Sequence, residues 1–263
     1  MMFYILGNDN RQKQVGKILN ARAIESADEL KSINRGVVVL PMPVSKDSVY
    51  VSESNIKLDD LKTVSSGVIV FGGKISDKLK YYLTHNGIKW VDYAEIETLA
   101  VKNAVATAEG AISILLSQSE KTLFGSNCLV VGYGRIGKVL SALLKAFGAN
   151  VSASSRSESE RWWCKINGLN TVSTYDIANI VNKMDIIINT APFLIFTPAI
   201  LDSVKKDTII LDLASKPGGV DFEYAKSKNI NVTHALSLPG KCAPLSAAQI
   251  VAETILEEIR KGV

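Results

Sequence analysis

The hexapeptide Gly132-Tyr133-Gly134-Arg135-Ile136-Gly137 spaces three glycines as G-x-G-x-x-G. Alone the string is a weak signal. Here it follows the apolar run Cys128-Leu129-Val130-Val131 and opens a helical pattern from Arg135 to Phe147, the strand-turn-helix context in which it grips a dinucleotide. Gly132 suits the tight turn, Gly134 lets backbone approach a pyrophosphate, and Gly137 lets helix and strand pack closely. The diphosphate would lie on the helix N-terminus, at Arg135 and Ile136, where free amides and the helix dipole favour negative charge.

The end of the next strand selects the dinucleotide. A site for NAD places Asp or Glu there to accept from the ribose hydroxyls, whereas this chain has Ser154-Ser155-Arg156-Ser157 and no carboxylate before Glu158. Arg156 matches a ribose phosphate with two parallel hydrogen bonds, so NADP is expected, with NAD possible; the alternative is a solvated surface arginine. Two more strand ends belong to the same crevice. In Asn189-Thr190-Ala191-Pro192 the small residues would let a nicotinamide ribose lie against backbone. Asp212-Leu213-Ala214-Ser215-Lys216-Pro217-Gly218-Gly219 stops its strand sharply, although a plain connecting loop explains those glycines equally well.

Elements that could position these residues run the length of the chain. Short apolar runs alternate with helical stretches, the pattern of parallel sheets covered by helices. Phe3–Leu6, Val37–Leu40 and Val68–Phe71 read as buried strands of a first α/β unit, residues 1 to about 92. A helical spacing from Tyr93 to Ser119, interrupted at Gly110, predicts a bridging helix about 40 Å long. Residues 120 to 245 carry six strand runs, at 128–131, 151–154, 171–172, 185–189, 208–212 and 231–234. Helices are expected from near Arg135, Ser159, Tyr175, Pro198 and Asp221. Six strands with five crossovers predict a doubly wound Rossmann domain. A last helix, Ser246 to Arg260, is free to cross back onto the first unit, which is itself expected to be a smaller Rossmann-like domain.

Composition excludes several classes. Of 263 residues 47% are hydrophobic and 21% charged, and the net charge is only +4. That rules out disorder and makes nucleic acid a poor partner. Cys128, Cys164 and Cys242 are few and scattered, as in a reduced intracellular chain. His85 and His234, the only histidines, have no ligand-spaced neighbours, so no metal site is expected. The N-terminal run is too short for a signal sequence, and no unbroken apolar run approaches the roughly 18 residues of a membrane span. A cytoplasmic protein is expected.

The glycine motif, Asn189-Thr190-Ala191-Pro192, Leu211 to Phe222, and Ser237-Leu238-Pro239-Gly240-Lys241-Cys242-Ala243-Pro244 occur in this order. Together they resemble the A-subunit family of bacterial dipicolinate synthases. Ala108-Glu109-Gly110 and the opening Gly7-Asn8-Asp9-Asn10-Arg11-Gln12 are similar too. The resemblance is dense from about residue 103 onward. It implies a sporulation enzyme that oxidises a dihydrodipicolinate-type intermediate, derived from 4-hydroxy-tetrahydrodipicolinate, to dipicolinate with NAD(P). It also implies a flavoprotein-like partner subunit. A homo-oligomer is expected, and Pro239 is a further candidate cofactor contact. The layout is similar to that of 2-hydroxyacid and alanine dehydrogenases, which hold substrate between two domains. The family's first domain is longer, and the run Lys46 to Asn55 departs from it.

A dicarboxylate substrate needs donors on the first unit. Arg11 is the first candidate because its fork matches two carboxylate oxygens; the alternative is a salt bridge on the first helix. Ser45 and the amides of Gly72-Gly73 are further candidates. Loss of a hydride and a proton makes a dihydropyridine aromatic, so positioning does most of the work. A general base could still take the proton. Lys216 and Glu109 are the candidates, with Lys241 and His234 behind them. Trp162-Trp163 reads as packing or as a partner patch. Two other readings stay open: a 2-hydroxyacid or amino-acid dehydrogenase, and a nucleotide-binding regulatory subunit.

Overall fold

Unbroken apolar runs build both sheets. Gly36–Val39, Ile186–Asn189 and Ile209–Asp212 are buried at every position, as strands of parallel sheets covered on both faces must be. The computed structural model describes all residues, Met1 to Val263. It forms two units, Met1–Asn103 with Pro239–Val263, and Ala104–Leu238.

In the first unit β1 (Phe3–Ile5), α1 (Asn10–Ile18), β2 (Arg22–Ala23), α2 (Ala27–Ser32), β3 (Gly36–Val39), β4 (Val68–Gly72), α3 (Asp77–His85) and β5 (Lys89–Asp92) follow one another. The five strands are parallel, in the order β2-β1-β3-β4-β5. β2 and β5 are edge strands with charged residues, which is why no apolar run announces them. Asp9, Ser26 and Ser76 cap the three helices with their side chains, each satisfying an amide that the first turn leaves without a partner.

A 3-10 turn at Tyr93–Glu95 precedes α4 (Glu97–Gln118), so the long helix is shorter than its periodicity predicts, about 33 Å. Gly110 does not break it: the residue is buried within the helix. By length and composition α4 is apolar enough to cross a membrane. Its Ala108, Ala111, Ile112 and Leu115 are nevertheless buried in the second unit's core, as in a core helix.

The second unit continues with β6 (Asn127–Val131), α5 (Arg135–Ala146), β7 (Asn150–Ser155), α6 (Glu158–Ile166), β8 (Asn170–Ser173), β9 (Ile186–Asn189), α7 (Pro198–Leu201), β10 (Ile209–Asp212), α8 (Phe222–Ser227) and β11 (Val232–His234). All six strands are parallel, ordered β11-β10-β9-β6-β7-β8. This is the doubly wound order, with its switch point between the first and fourth strands. The helix expected near Tyr175 is instead a pair of 3-10 turns, Thr174–Asn179 and Val181–Lys183, burying Ile177 and Val181. Trp162 and Trp163 both face solvent, so neither packs the core.

The chain then returns to the first unit through α9 (Leu238–Cys242) and α10 (Pro244–Arg260). Ala248, Val251, Ala252 and Ile255 of α10 pack with Val15 and Leu19 of α1 and with Val37, Val39 and Phe71 of the sheet. The second unit therefore ends at Leu238, earlier than the sequence pattern places it.

Cys128 and Cys164 are buried, and burial pushes their thiols up to about 12 and about 11. Cys242 is exposed. Because the thiolate is the reactive form, iodoacetamide at neutral pH should label the native chain once, on Cys242. All three thiols should react in denaturant, as mass spectrometry of the digested chain would report.

Candidate functional site

The strand order of the second unit reverses at β6, so ligand space is expected at the carboxyl ends of β6 and β9. Gly132 follows β6 with φ +96°, and a Cβ there would meet Thr190 Oγ1 at 2.5 Å. Thr190 Oγ1 in turn donates to the Val131 carbonyl at 2.9 Å. A Cβ on Gly137 would collide with the Gly132 carbonyl. Gly134 differs: nothing lies within 4 Å of the place its Cβ would take. It starts α5 with no side-chain cap. Two glycines thus serve close packing, and the third keeps space open over a bare helix N-terminus, which fits a pyrophosphate. Arg135 is exposed in that first turn, and Ile136 packs on the core.

At the end of β7 the structure alters the sequence reading. Ser154 is buried; its Oγ bonds Thr174 Oγ1 at 3.3 Å and its carbonyl accepts the Gly132 N–H at 3.0 Å. Its hydroxyl is therefore turned away from any ribose. Ser155 Oγ donates to Glu160 Oε2 at 2.5 Å and accepts the Ser157 N–H at 3.0 Å. No carboxylate precedes Glu158 along the chain, yet the first turn of α6, capped by Ser157, folds Glu160 back onto this strand end. Arg156 is exposed and stacks over the Phe193 ring at 4.3 Å. Arg161 Nη1 donates to the Ser155 and Arg156 carbonyls at 2.8 and 3.0 Å and so holds the loop. Phe193, Glu160 and Arg161 carry no sequence signal as site residues because only the fold brings them here.

Beneath the next two loops lies a pair of fully buried side chains. Asn189 and Asp212 end β9 and β10 in register. Asn189 Nδ2 donates to Asp212 Oδ1 at 2.8 Å and to the Ala191 carbonyl at 3.0 Å, and Oδ1 accepts the Ala191 N–H at 3.2 Å. Asp212 also accepts the N–H groups of Ala214 at 3.0 Å and Gly219 at 2.7 Å. Gly218, at φ +95°, and Gly219 leave no room for a Cβ against Asp212 and Asn189, which explains the paired glycines as packing on this lock. Thr190, Ala191, Pro192, Leu213, Ala214 and Ser215 are the residues it positions. Lys216 is exposed on the same loop, and Glu109 is exposed on α4. His234 Nε2 lies 2.8 Å from the Ala214 carbonyl and its ring stacks on Phe222. That nitrogen carries the N–H and is committed to backbone, so His234 supports the loop.

In the first unit the order reverses between β1 and β3. Buried Gln12 Nε2 donates to the Leu6 and Val39 carbonyls at 2.8 and 3.1 Å, joining those strand ends. Buried Tyr93 donates its hydroxyl to Leu40 at 2.8 Å, and burial pushes its pKa up. Arg11 is half-buried beside them. Nη2 donates to the Met42 carbonyl at 2.6 Å, and no carboxylate pairs with the guanidinium, so the salt bridge weighed for it does not form. Ser45 Oγ is engaged with Asp47 and the Ser48 N–H. Gly72 is a packing position, where a Cβ would meet Val44 at 2.8 Å. Gly73 gives its N–H to Pro41 at 3.2 Å, so this pair offers substrate no free amide. Pro239 and exposed Lys241 belong to α9 in the first unit.

A nicotinamide-dinucleotide-dependent oxidoreductase is the class that this fold and its glycine cradle define. Residues 100–214 match the family described as D-isomer specific 2-hydroxyacid dehydrogenase, NAD binding domain. The dipicolinate synthase A-subunit of Bacillus subtilis (strain 168) is 32% identical over 234 residues, 87% of this chain and 79% of that protein. The crystal structure of the dipicolinate synthase A-subunit from Bacillus subtilis superposes with a TM-score of 0.88 at 29% identity, over 99% of this chain and 96% of that one. Apo D-lactate dehydrogenase from Escherichia coli shares the fold at 16% identity, TM-score 0.64, over 100% and 98% of the two chains. The chain belongs to the A-subunit family of dipicolinate synthases.

Two glycine substitutions separate packing from binding. Gly134→Val should fold with an unchanged thermal midpoint but bind the dinucleotide at least tenfold more weakly, about 1.4 kcal/mol, in a calorimetric titration. Gly137→Val should lose about 3 kcal/mol of stability by overpacking. Asp212→Ala leaves three buried N–H groups without an acceptor, so denaturant unfolding should show a loss of about 3 kcal/mol or more, with weaker dinucleotide binding.

Proposed function

We propose that the chain oxidises a dihydropyridine dicarboxylate, derived from 4-hydroxy-tetrahydrodipicolinate, to dipicolinate during sporulation in the cytoplasm, working with a flavoprotein-like partner subunit. The observation that carries this reading is Arg11: a half-buried guanidinium with one carbonyl partner and no carboxylate, at the strand-order reversal of the first unit. Most of its donors are left for an anion, and its planar fork suits a carboxylate. Family membership supports the same substrate class.

The nicotinamide, when bound, accepts the hydride. On the protein side, Gly132, Gly134 and Gly137 shape the diphosphate cradle, with the first-turn amides of α5 above it. Thr190, Ala191 and Pro192, and Leu213 to Ser215, are proposed to carry the nicotinamide half, on loops the Asn189–Asp212 pair holds still. The remaining proton leaves the ring as it becomes aromatic; Lys216 and Glu109 are the proposed acceptors, to be told apart by the pH profiles of their variants. His234, bonded to a main-chain carbonyl, leaves the chain without the acid–base histidine a hydroxyacid dehydrogenase would use, which weighs against that reading.

NADP is the proposed dinucleotide. Arg156 and Arg161 stand beside the β7 end, and the one carboxylate there, Glu160, is engaged by Ser155. Arg156→Ala should weaken NADP by one to two powers of ten, from the loss of a charged hydrogen bond worth about 1.5–3 kcal/mol, and leave NAD nearly unchanged. Equal weakening of both would assign the arginine to the loop alone.

For the reaction, the chain with and without its partner is mixed with freshly generated 4-hydroxy-tetrahydrodipicolinate and NADP. Dipicolinate absorbance and reduced cofactor should rise together, one for one, and Arg11→Lys should raise the substrate KM more than it lowers kcat. Absence of both products under every pairing, with a 2-hydroxy acid oxidised instead, would refute the reading.

A further inference from the structure

Phe193 and Leu194 hold apolar side chains outward between two fixed points. Two residues before Phe193, Ala191 is bonded through both its N–H and its carbonyl to buried Asn189. Directly after Leu194, the buried residues Ile195 and Phe196 both donate their N–H groups to the Gly219 carbonyl at 2.9 Å. The tip is pinned on either side, yet Phe193 is 37% and Leu194 57% exposed. The Phe193 ring has one charged partner, the Arg156 guanidinium, which lies over it at 4.3 Å. Because β6 lies between β7 and β9 in the sheet, this contact joins the two strand-end loops that flank the glycine turn.

Other cation–ring contacts in the chain are of a different kind. Lys165 over Trp162 and Lys228 over Tyr224 are neighbours three and four residues apart, which helical spacing brings together unaided. Arg156 and Phe193 meet only through the fold. The arginine also differs from a lysine in geometry: its N–H donors lie in the plane of the guanidinium. Seated on a ring by its face, it keeps those donors unspent. Its backbone is already fixed, since Arg161 Nη1 donates to the Arg156 carbonyl at 3.0 Å and the Ser157 N–H goes to Ser155 Oγ at 3.0 Å. What would otherwise stay loose is the long side chain, whose rotamer freedom is among the largest of any residue. The stack on Phe193 restricts it.

We propose that Phe193 is a positioning residue for dinucleotide choice: its ring holds the Arg156 guanidinium by one face, so that the in-plane N–H groups are set for the ribose phosphate before NADP arrives. The inference rests on the NADP reading above and adds to it a residue that no motif marks. A side chain ordered in advance loses less freedom on binding. Only the dinucleotide that carries the extra phosphate gains from this, because NAD gives those donors nothing to hold. Phe193 thus acts on selectivity through Arg156.

The test is calorimetric titration of the full chain with NADP and, separately, with NAD. Phe193→Ala and Phe193→Leu should each weaken NADP about three- to tenfold, the range of one cation–ring contact, and leave NAD nearly unchanged. Phe193→Tyr, which keeps a ring, should bind both as the native chain does. In an Arg156→Ala background Phe193→Ala should cost NADP nothing further, because the ring acts through the arginine. Thermal midpoints should stay near the native one, since Ala191 and Ile195 pin the tip; if Phe193→Ala loses stability, Phe193→Leu, which keeps the bulk, decides. Equal weakening of NADP and NAD would make the ring a plain dinucleotide contact, and tighter NADP binding by Phe193→Ala would make the stack an obstruction that the phosphate must break. Either result overturns the proposal, as does an NADP affinity indifferent to both variants. Failure of the dinucleotide reading looks different: there the native chain binds NAD at least as tightly as NADP, and the proposal falls with it. A native chain that prefers NADP, loses the preference on Arg156→Ala and keeps it in the Phe193 variants refutes the role of Phe193 alone.

Discussion

The hydrogen bond between Asn189 and Asp212 is the constraint on which the second unit's strand-end loops depend. Both side chains are fully buried at adjacent, in-register strand ends, where a polar group without a partner is costly. Each is satisfied only if the loops above adopt one conformation: Ala191 must turn both its N–H and carbonyl toward Asn189, and Ala214 and Gly219 must bring their N–H groups to Asp212. From there the constraint spreads. Thr190, fixed between Asn189 and Ala191, reaches the Val131 carbonyl and leaves space beside Gly132 only for a glycine. The glycine cradle is thus shaped partly by a polar pair on neighbouring strands.

The first unit uses the same device. Asp92, buried at the end of β5, accepts the N–H groups of Lys74, Ile75 and Ala94, while Gln12 and Tyr93 fix the ends of β1 and β3. Buried acceptors draw the loop amides inward and leave the half-buried Arg11 guanidinium with a carbonyl and no carboxylate partner. A rigid polar underside with a guanidinium beside it is an arrangement that can hold an anionic substrate with little reorganisation.

How much of this is legible in the chain follows from which interactions are local. The G-x-G-x-x-G turn can be read because Gly132 and Gly137 answer to contacts close to one strand-turn-helix unit. The six-stranded order follows from apolar runs that are buried throughout. Edge strands β2 and β5 carry charge and no such run, so the pattern does not mark them. Ser154 looks available in the sequence because spacing does not say which way a strand-end hydroxyl turns, and the fold turns it to Thr174. Glu160 gives no signal because only a capped helical turn folds it back onto Ser155. Gly218 and Gly219 read equally well as an ordinary loop until the buried pair beneath them is in place. Arg11 can be named by type, but its lack of a carboxylate partner is a tertiary fact.

Amide hydrogen exchange of the cofactor-free chain, resolved by residue, tests the central constraint most directly. If the Asn189–Asp212 pair fixes both loops, the N–H groups of Ala191, Ala214 and Gly219 should exchange slowly and at a common rate, through one shared opening, before any nucleotide is added. Fast and unequal exchange at these three positions, slowing only when nucleotide binds, would contradict the account and make the ligand, instead of the buried pair, the organiser of the site.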